Sequence, residues 1–445
     1  MGVSRALLDV TPLRTSPHYR RLWIGGLLSG LGGQMAVVAV LYQVWESTRS
    51  TIWTGAAGLA QALPIIVFGL FAGALVDRAD RRRFYLITKV GQAACAVLLT
   101  VQAFTGGSAP LVLCLVAVQS LFVAGGGPAS RTFLSRLLPP EQLGAGLALN
   151  RISFQGAMLA GPALGGLVIS EVGVGGCFLI HTVTFAVALW TAILLPPMPA
   201  TPTGLTGVLA GLRFLGGNRP VRGALLTDLA ATVLAMPISL FPVVNAERFG
   251  DDPRTLGLFL TAIAAGGVVA SALSGTFTRS RRPGAVMVAG SLTWGVALAL
   301  FGVTPNAWAG LALLAVAGAA DTVAVVSRST VVQRHTPDAF LGRAAAAEQI
   351  VGQAGPDVGN LRGGLVAAGS SATAALVSGG LLCVAAVAAI AARTPELREP
   401  EPAVTARPPE PGKPEPAATA RPPEPCEPQP AVAARPPEPS KPDIR

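Results

Sequence analysis

Among the charged side chains inside long apolar runs, six stand out as candidates: Arg151, Asp228, Asp321, Glu348, Asp357 and Arg362. A charge at the centre of a bilayer-spanning helix costs roughly 2.5–3.5 kcal/mol on insertion scales, so each needs a partner or a wetted cavity. A carboxylate near an arginine can take up and release a proton as its surroundings open and close, because neighbouring charge and desolvation act on it in opposite senses. Asp357 and Arg362 lie five residues apart, with Pro356 and Gly359 loosening the helix around them. They are the first candidates for proton exchange; a static buried ion pair is the alternative. Asp228 is a second candidate, with a snorkelling pair to Arg222 as its alternative. His181 reads as a packing residue.

Other chemistries find little support. Three histidines and five cysteines show no metal-ligand spacing, so no metal site is expected. There is no GxxxxGK[ST] and no nucleophile–base motif. No catalytic residue and no cofactor are expected, and the chain does not read as an enzyme.

The elements that must position these charges follow from composition. The 445 residues are 51% apolar and 13% charged, whereas soluble domains carry roughly 25% charge. So few charges cannot cover a water-soluble surface of this size. The net charge of +10 does not point to nucleic acid, because the basic residues sit in short spacers between apolar runs. About 20 apolar residues span a bilayer as a helix. Twelve such runs occur, near 22–45, 52–76, 84–105, 109–131, 145–170, 174–195, 222–246, 255–277, 284–303, 306–329, 343–368 and 371–392. With the N-terminus inside, the outer loops hold only Arg49, Arg248 and Arg254, so the positive-inside rule places both termini in the cytoplasm.

The sequence repeats at about 200 residues. Pro17 matches Pro220, Asp77-Arg78 matches Thr278-Arg279, and Arg131 through Glu141 matches Arg328 through Asp338, at offsets of 203, 201 and 197. The expectation is an all-α integral membrane protein whose twelve helices form two parallel six-helix halves. The halves are residues 1–195 and 222–392, joined by a cytoplasmic linker, 196–221. Glu348 and Arg151 occupy nearly matching positions in the two halves with opposite sign, which suggests an ion pair between the halves. Residues 393–445 hold 17 of the 37 prolines and three 14-residue repeats containing Ala-Arg-Pro-Pro-Glu-Pro. Such a segment cannot bury a core and reads as a disordered cytoplasmic tail, dispensable or able to dock a protein partner.

Gly73-Ala74-Leu75-Val76-Asp77-Arg78-Ala79-Asp80-Arg81-Arg82 resembles the major facilitator signature GxxxDRxGRR, with Asp80 in place of the usual glycine. Gly161-Pro162-Ala163-Leu164-Gly165-Gly166 resembles the GPxxGG antiporter motif of drug:proton exporters in that superfamily. The arginine that many such antiporters carry inside the fourth helix is absent; Arg131 stands at its end. Leu7 through Arg21, Gly211 through Leu215, Gln333 through Arg343 and Gly355-Pro356-Asp357 are similar to the enterobactin-exporter branch. The resemblance implies proton-coupled export of a siderophore, antibiotic or drug from the bacterial inner membrane by a monomer. It implies that the first, fourth, seventh and tenth helices line a cavity, so Gln34, Gln119, Asp228 and Asp321 would face substrate. It also implies that Gly73, Asp77, Arg78, Arg81 and Arg82 form a conformational latch to the eleventh helix. The alternatives are an importer or uniporter of a small solute, and a membrane scaffold or sensor acting through the proline-rich tail.

Overall fold

The computed structural model describes residues 9–78, 81–131, 133–196, 217–278, 280–337 and 341–399. Twelve spans are found among the described residues. The first four are α1 (Pro17–Thr48), α2 (Thr51–Arg78), α3 (Arg81–Thr105) and α4 (Ala109–Arg131). Ser16 starts α1 by accepting the Tyr19 amide at 3.3 Å, while Pro17 fills a first-turn position that needs no donor. The stretch Leu143–Ile193 holds α5 (143–172) and α6 (174–193), separated at Gly173, whose φ of 81° suits only glycine.

The second half contains α7 (Arg219–Ala235), α8 (Pro253–Ala272), α9 (Pro283–Val303), α10 (Ala307–Arg334), α11 (Leu341–Gly369) and α12 (Ala372–Arg393). The expected seventh run, 222–246, is not one helix. It stops at Ala235, passes through a 3-10 turn at Ile238–Leu240 and resumes as Phe241–Arg248. Pro237 is the cause. It has no amide hydrogen, and it drives Met236 into extended backbone (φ −72°, ψ 121°).

The sequence repeat appears as repeated packing. Within the first half α2 packs on α4, and α1 and α3 pack on the α5–α6 stretch, α3 meeting α6 through Thr100–Thr182 and Arg82–Ile193. Within the second, α8 packs on α10, α9 on α12 and α7 on α11. The halves meet through α2 against α11 and α5 against α8, which are equivalent contacts under the same repeat. Large apolar side chains such as Ile87, Phe104, Val172 and Trp190 remain more than 60% exposed, as lipid-facing positions must. One end of the bundle carries the short connections after odd-numbered spans; the opposite end is rich in arginine. These are called the short-loop face and the arginine-rich face.

Candidate functional site

The break in α7 opens onto a cavity of about 220 Å³ between the halves. Its walls come from α1, α2, α4 and α6 with Leu99 of α3 on one side, and from Ile238, Ser239 and Asn360 on the other. Asn360 of α11 repairs part of the break. Its Oδ1 accepts the Ser239 amide at 3.0 Å, and the Ser239 hydroxyl donates to the Asn360 carbonyl at 2.8 Å. On the opposite wall Gln119 and His181 form a hydrogen bond at 3.1 Å, and His181 packs edge-on to Phe185 with centroids 4.7 Å apart. His181 is 2% exposed and lines the central cavity.

Arg362 does not pair with Asp357 among the described residues. Its guanidinium donates to the carbonyl of Leu234, in the last turn of α7. The helical twist explains this, since five residues rotate a side chain by about 140° and only spacings of three or four share a face. Arg362 therefore caps a helix end left open by Pro237, where a cation is favoured. Asp357 is half-buried next to Pro356, and its carboxylate has no ion pair among the described residues.

Asp228 does not pair with Arg222 either. Its carboxylate meets Arg328 of α10, and both side chains are about nine-tenths buried. Arg328 also reaches Glu348 of α11 at 3.3 Å, and Ser329 donates to the same carboxylate at 3.1 Å. The expected Arg151–Glu348 pair is replaced by this network. Arg151 is exposed and lies over the Phe154 ring at 5.9 Å. Asp321 lies two turns before Arg328 on α10, a spacing that returns to the same helix face. Arg328 thus joins Asp228 and Glu348 in one network, with Asp321 on the same face of α10.

Gln34 lines a larger cavity of about 750 Å³ in the first half, together with Tyr19, Tyr85 and Asn150. The GPxxGG glycines set the approach of α5 to its neighbours. A Cβ on Gly161 would fall 2.4 Å from that of Gln34, and one on Gly165 would fall 3.0 Å from the Met35 backbone. Gly166 faces α8, where an added Cβ would meet the Pro253 carbonyl at 2.4 Å; reciprocally, one on Gly257 would meet the Pro162 carbonyl at 2.4 Å. Above this crossing, Arg254 pairs with Glu171, and Arg49 pairs with Asp251 at 2.5 Å. Both pairs join the two halves at the short-loop face.

The latch side chains Gly73, Asp77, Arg78 and Arg81 lie outside the described side chains, as Asp80, the linker core 197–216 and the tail from 400 onward lie outside the described residues. Arg82 is described and donates to the Ile193 carbonyl at 2.6 Å, tying α3 to the end of α6. Three residues are not singled out by the sequence. Arg328 reads from run length as a helix end, but α10 continues to Arg334 and buries it. Lys89 reads the same way, although α3 starts eight residues earlier. The spacing of both from their flanking arginines is a usable signal. Asn360 carries none, because its partner exists only once α7 is broken.

Comparison with known proteins agrees with this architecture. The family model described as transmembrane secretion effector matches residues 9–421. The enterobactin exporter EntS of Shigella flexneri is 28% identical over 385 residues, covering 85% of this chain and 92% of that protein. EntS of Escherichia coli O139:H28 is 26% identical over the same length. Among solved structures, a POT family transporter in complex with 5-aminolevulinic acid matches with a TM-score of 0.70 at 12% identity, covering 86% of this chain and 97% of that one. The nucleoside transporter NupG matches with a TM-score of 0.66 at 14% identity, over 85% and 98%. Twelve spans in two repeated halves, a cavity where the halves meet and a family match across nearly all of the described residues lead to one assignment: the chain belongs to the transmembrane secretion effector family of major facilitator transporters.

Proposed function

We propose that this transporter exports a small amphipathic organic molecule by alternating access coupled to proton entry, as a monomer in the bacterial inner membrane with both termini cytoplasmic. The observation that carries the reading is the central cavity, walled by both halves and closed toward the short-loop face by the Arg49–Asp251 and Arg254–Glu171 pairs. With the arginine-rich face cytoplasmic, that cavity lies on the loading side of an exporter. A second, larger cavity in the first half reaches Tyr19, in the first turn of α1 at the arginine-rich face. The break in α7 supplies a hinge on which the wall can rearrange. The acidic residues Asp357, Asp228, Asp321 and Glu348 supply candidate proton sites. Likeness to enterobactin exporters favours a siderophore-like secondary metabolite.

The test compares metabolite accumulation in cells with and without the protein, followed by uptake of the accumulating compound into inverted membrane vesicles. An exporter lowers intracellular accumulation and fills inverted vesicles when a pH gradient is imposed. Accumulation that rises with the protein present indicates import. Deleting residues 400–445 separates transport from scaffolding, since a transporter keeps efflux without them.

A further inference from the structure

Lys89 holds a positive charge inside the first half, and no carboxylate among the described residues answers it. It lies two turns into α3, and its ammonium donates to Gln92 Oε1 at 3.1 Å. Gln92 is one turn further from the arginine-rich face, so the side chain reaches inward rather than back toward that face. The ammonium also sits over two aromatic rings, 5.4 Å from the Tyr85 centroid and 5.2 Å from that of Phe185. Tyr85 lines the larger cavity and Phe185 the central one. The ammonium therefore lies between one lining residue of each cavity, and the Lys89 side chain is partly exposed.

The first 195 residues contain six acidic side chains: Asp9, Glu46, Asp77, Asp80, Glu141 and Glu171. All six fall at helix ends or in connections, and Lys89 has no ion pair among the described residues. The second half has the opposite character, with four carboxylates in its spans and two arginines already engaged with Asp228, Glu348 and Leu234. Two aromatic faces and one amide lower the cost of burying an ammonium but do not neutralise it. An anion arriving in the cavity would.

We propose that Lys89 is the anion-binding subsite of the transport pathway, and that the exported molecule is an amphipathic organic anion whose acidic group docks on Lys89. This rests on the export reading and narrows it to a substrate class. The acidic group accepts a charge-assisted hydrogen bond from the ammonium, and the apolar body lies along the wall formed by Phe185 and its neighbours. Substrate and proton then occupy different halves. A negative charge held on the first half meets carboxylates on the second, so protonating those carboxylates favours closing the halves around it.

The experiment measures equilibrium binding to purified full-length protein in detergent, with three naphthalene probes of matched size: 2-naphthoate, 2-naphthamide and 2-naphthylmethylammonium. Wild type should bind 2-naphthoate saturably and at least tenfold tighter than the other two. K89Q should weaken naphthoate binding at least about tenfold, the usual consequence of losing one hydrogen bond between charged groups, while K89R restores most of it. Thermal unfolding of each variant checks that the fold persists, and the three-probe comparison on wild type needs no variant. Equal binding of all three probes, preference for the cation, absence of naphthoate binding, or naphthoate binding indifferent to K89Q would each overturn the proposal and leave Lys89 a structural anchor. Binding is read without transport. Loss of the anion preference therefore refutes the subsite alone, whereas intact binding with no cellular export refutes the export reading alone.

Discussion

Arg49 and Asp251 are the two non-glycine residues with left-handed backbone among the described residues, at φ 47° and 59°, and they are ion-paired to each other at 2.5 Å. One closes α1 and the other lies between α7 and α8, so the pair clasps the two halves at the short-loop face. A left-handed conformation costs an ordinary residue roughly 1–2 kcal/mol, while an exposed ion pair returns about 0.2–1 kcal/mol. A clasp whose ion pair returns less than its backbone costs is suited to a contact that opens during the proposed alternating access.

Asp251→Asn tests this, because asparagine tolerates left-handed backbone and removes only the charge. Loss of about 0.5–1 kcal/mol should shift the balance two- to fivefold toward the state open at the short-loop face. The measurement is the labelling rate of a cysteine placed at Thr54, a buried cavity residue of α2, by a membrane-impermeant maleimide. Raising ionic strength should produce part of the same increase in the otherwise wild-type protein, since these charges are exposed and screened by salt. An unchanged rate in both conditions would show that the clasp has no part in closure.

The Arg328 network should behave as a buried unit. Arg328→Gln leaves Asp228 and Glu348 with no counter-charge, and breaking a buried pair from one side costs on the order of 3–5 kcal/mol. The melting temperature in detergent should fall sharply. The combined Asp228→Asn, Arg328→Gln protein should recover part of that loss, because a neutral pair strands less charge. Additive losses in the combined variant would mean that the two residues act independently.

The two halves and their twelve spans were legible because hydrophobic run length and the 200-residue repeat record the bilayer and the pseudo-symmetry directly. The site was less legible, for reasons visible in particular residues. Asp357 and Arg362 are close in sequence but on different helix faces. Asp228 has Arg222 nearby in sequence, yet its partner Arg328 lies 100 positions away on α10. Lys89 and Arg328 look like ends of spans because apolar run length marks a helix's lipid-exposed extent and not where its backbone begins. Pro237 announces a break in α7, but only the fold shows that Arg362 and Asn360 answer it.

Gly257→Ala tests the α5–α8 crossing. The added methyl would lie 2.4 Å from the Pro162 carbonyl, a backbone atom that cannot swing aside. The halves must separate there by roughly an ångström, which penalises the closed short-loop face while the open state is spared. Thr54-cysteine labelling should rise more than for Asp251→Asn, and the two changes together should exceed either, since they weaken different contacts. Labelling at the wild-type rate would place the closure elsewhere.

Asp357 is the coupling candidate that lies at the contact between the halves. It stands on α11 beside Pro356, and a Cβ on Gly58 of α2 would lie 2.8 Å from its carbonyl. It is therefore on the α2–α11 contact between the halves, which the proposed alternating access would separate. Arg362 is committed to Leu234 and no cation pairs with Asp357 among the described residues, so in the proposed cycle hydration would govern its protonation. Asp357→Asn keeps the volume and the hydrogen-bonding capacity but cannot exchange a proton. In reconstituted vesicles the variant should lose uphill transport driven by an imposed pH gradient while retaining downhill exchange of the same substrate. Arg362→Ala should act differently, lowering the melting temperature by uncapping α7 without abolishing gradient-driven transport. If Asp357→Asn still concentrates substrate, the proton is carried by the Asp228–Arg328–Glu348 network, and the same assay on Asp228→Asn becomes the deciding measurement.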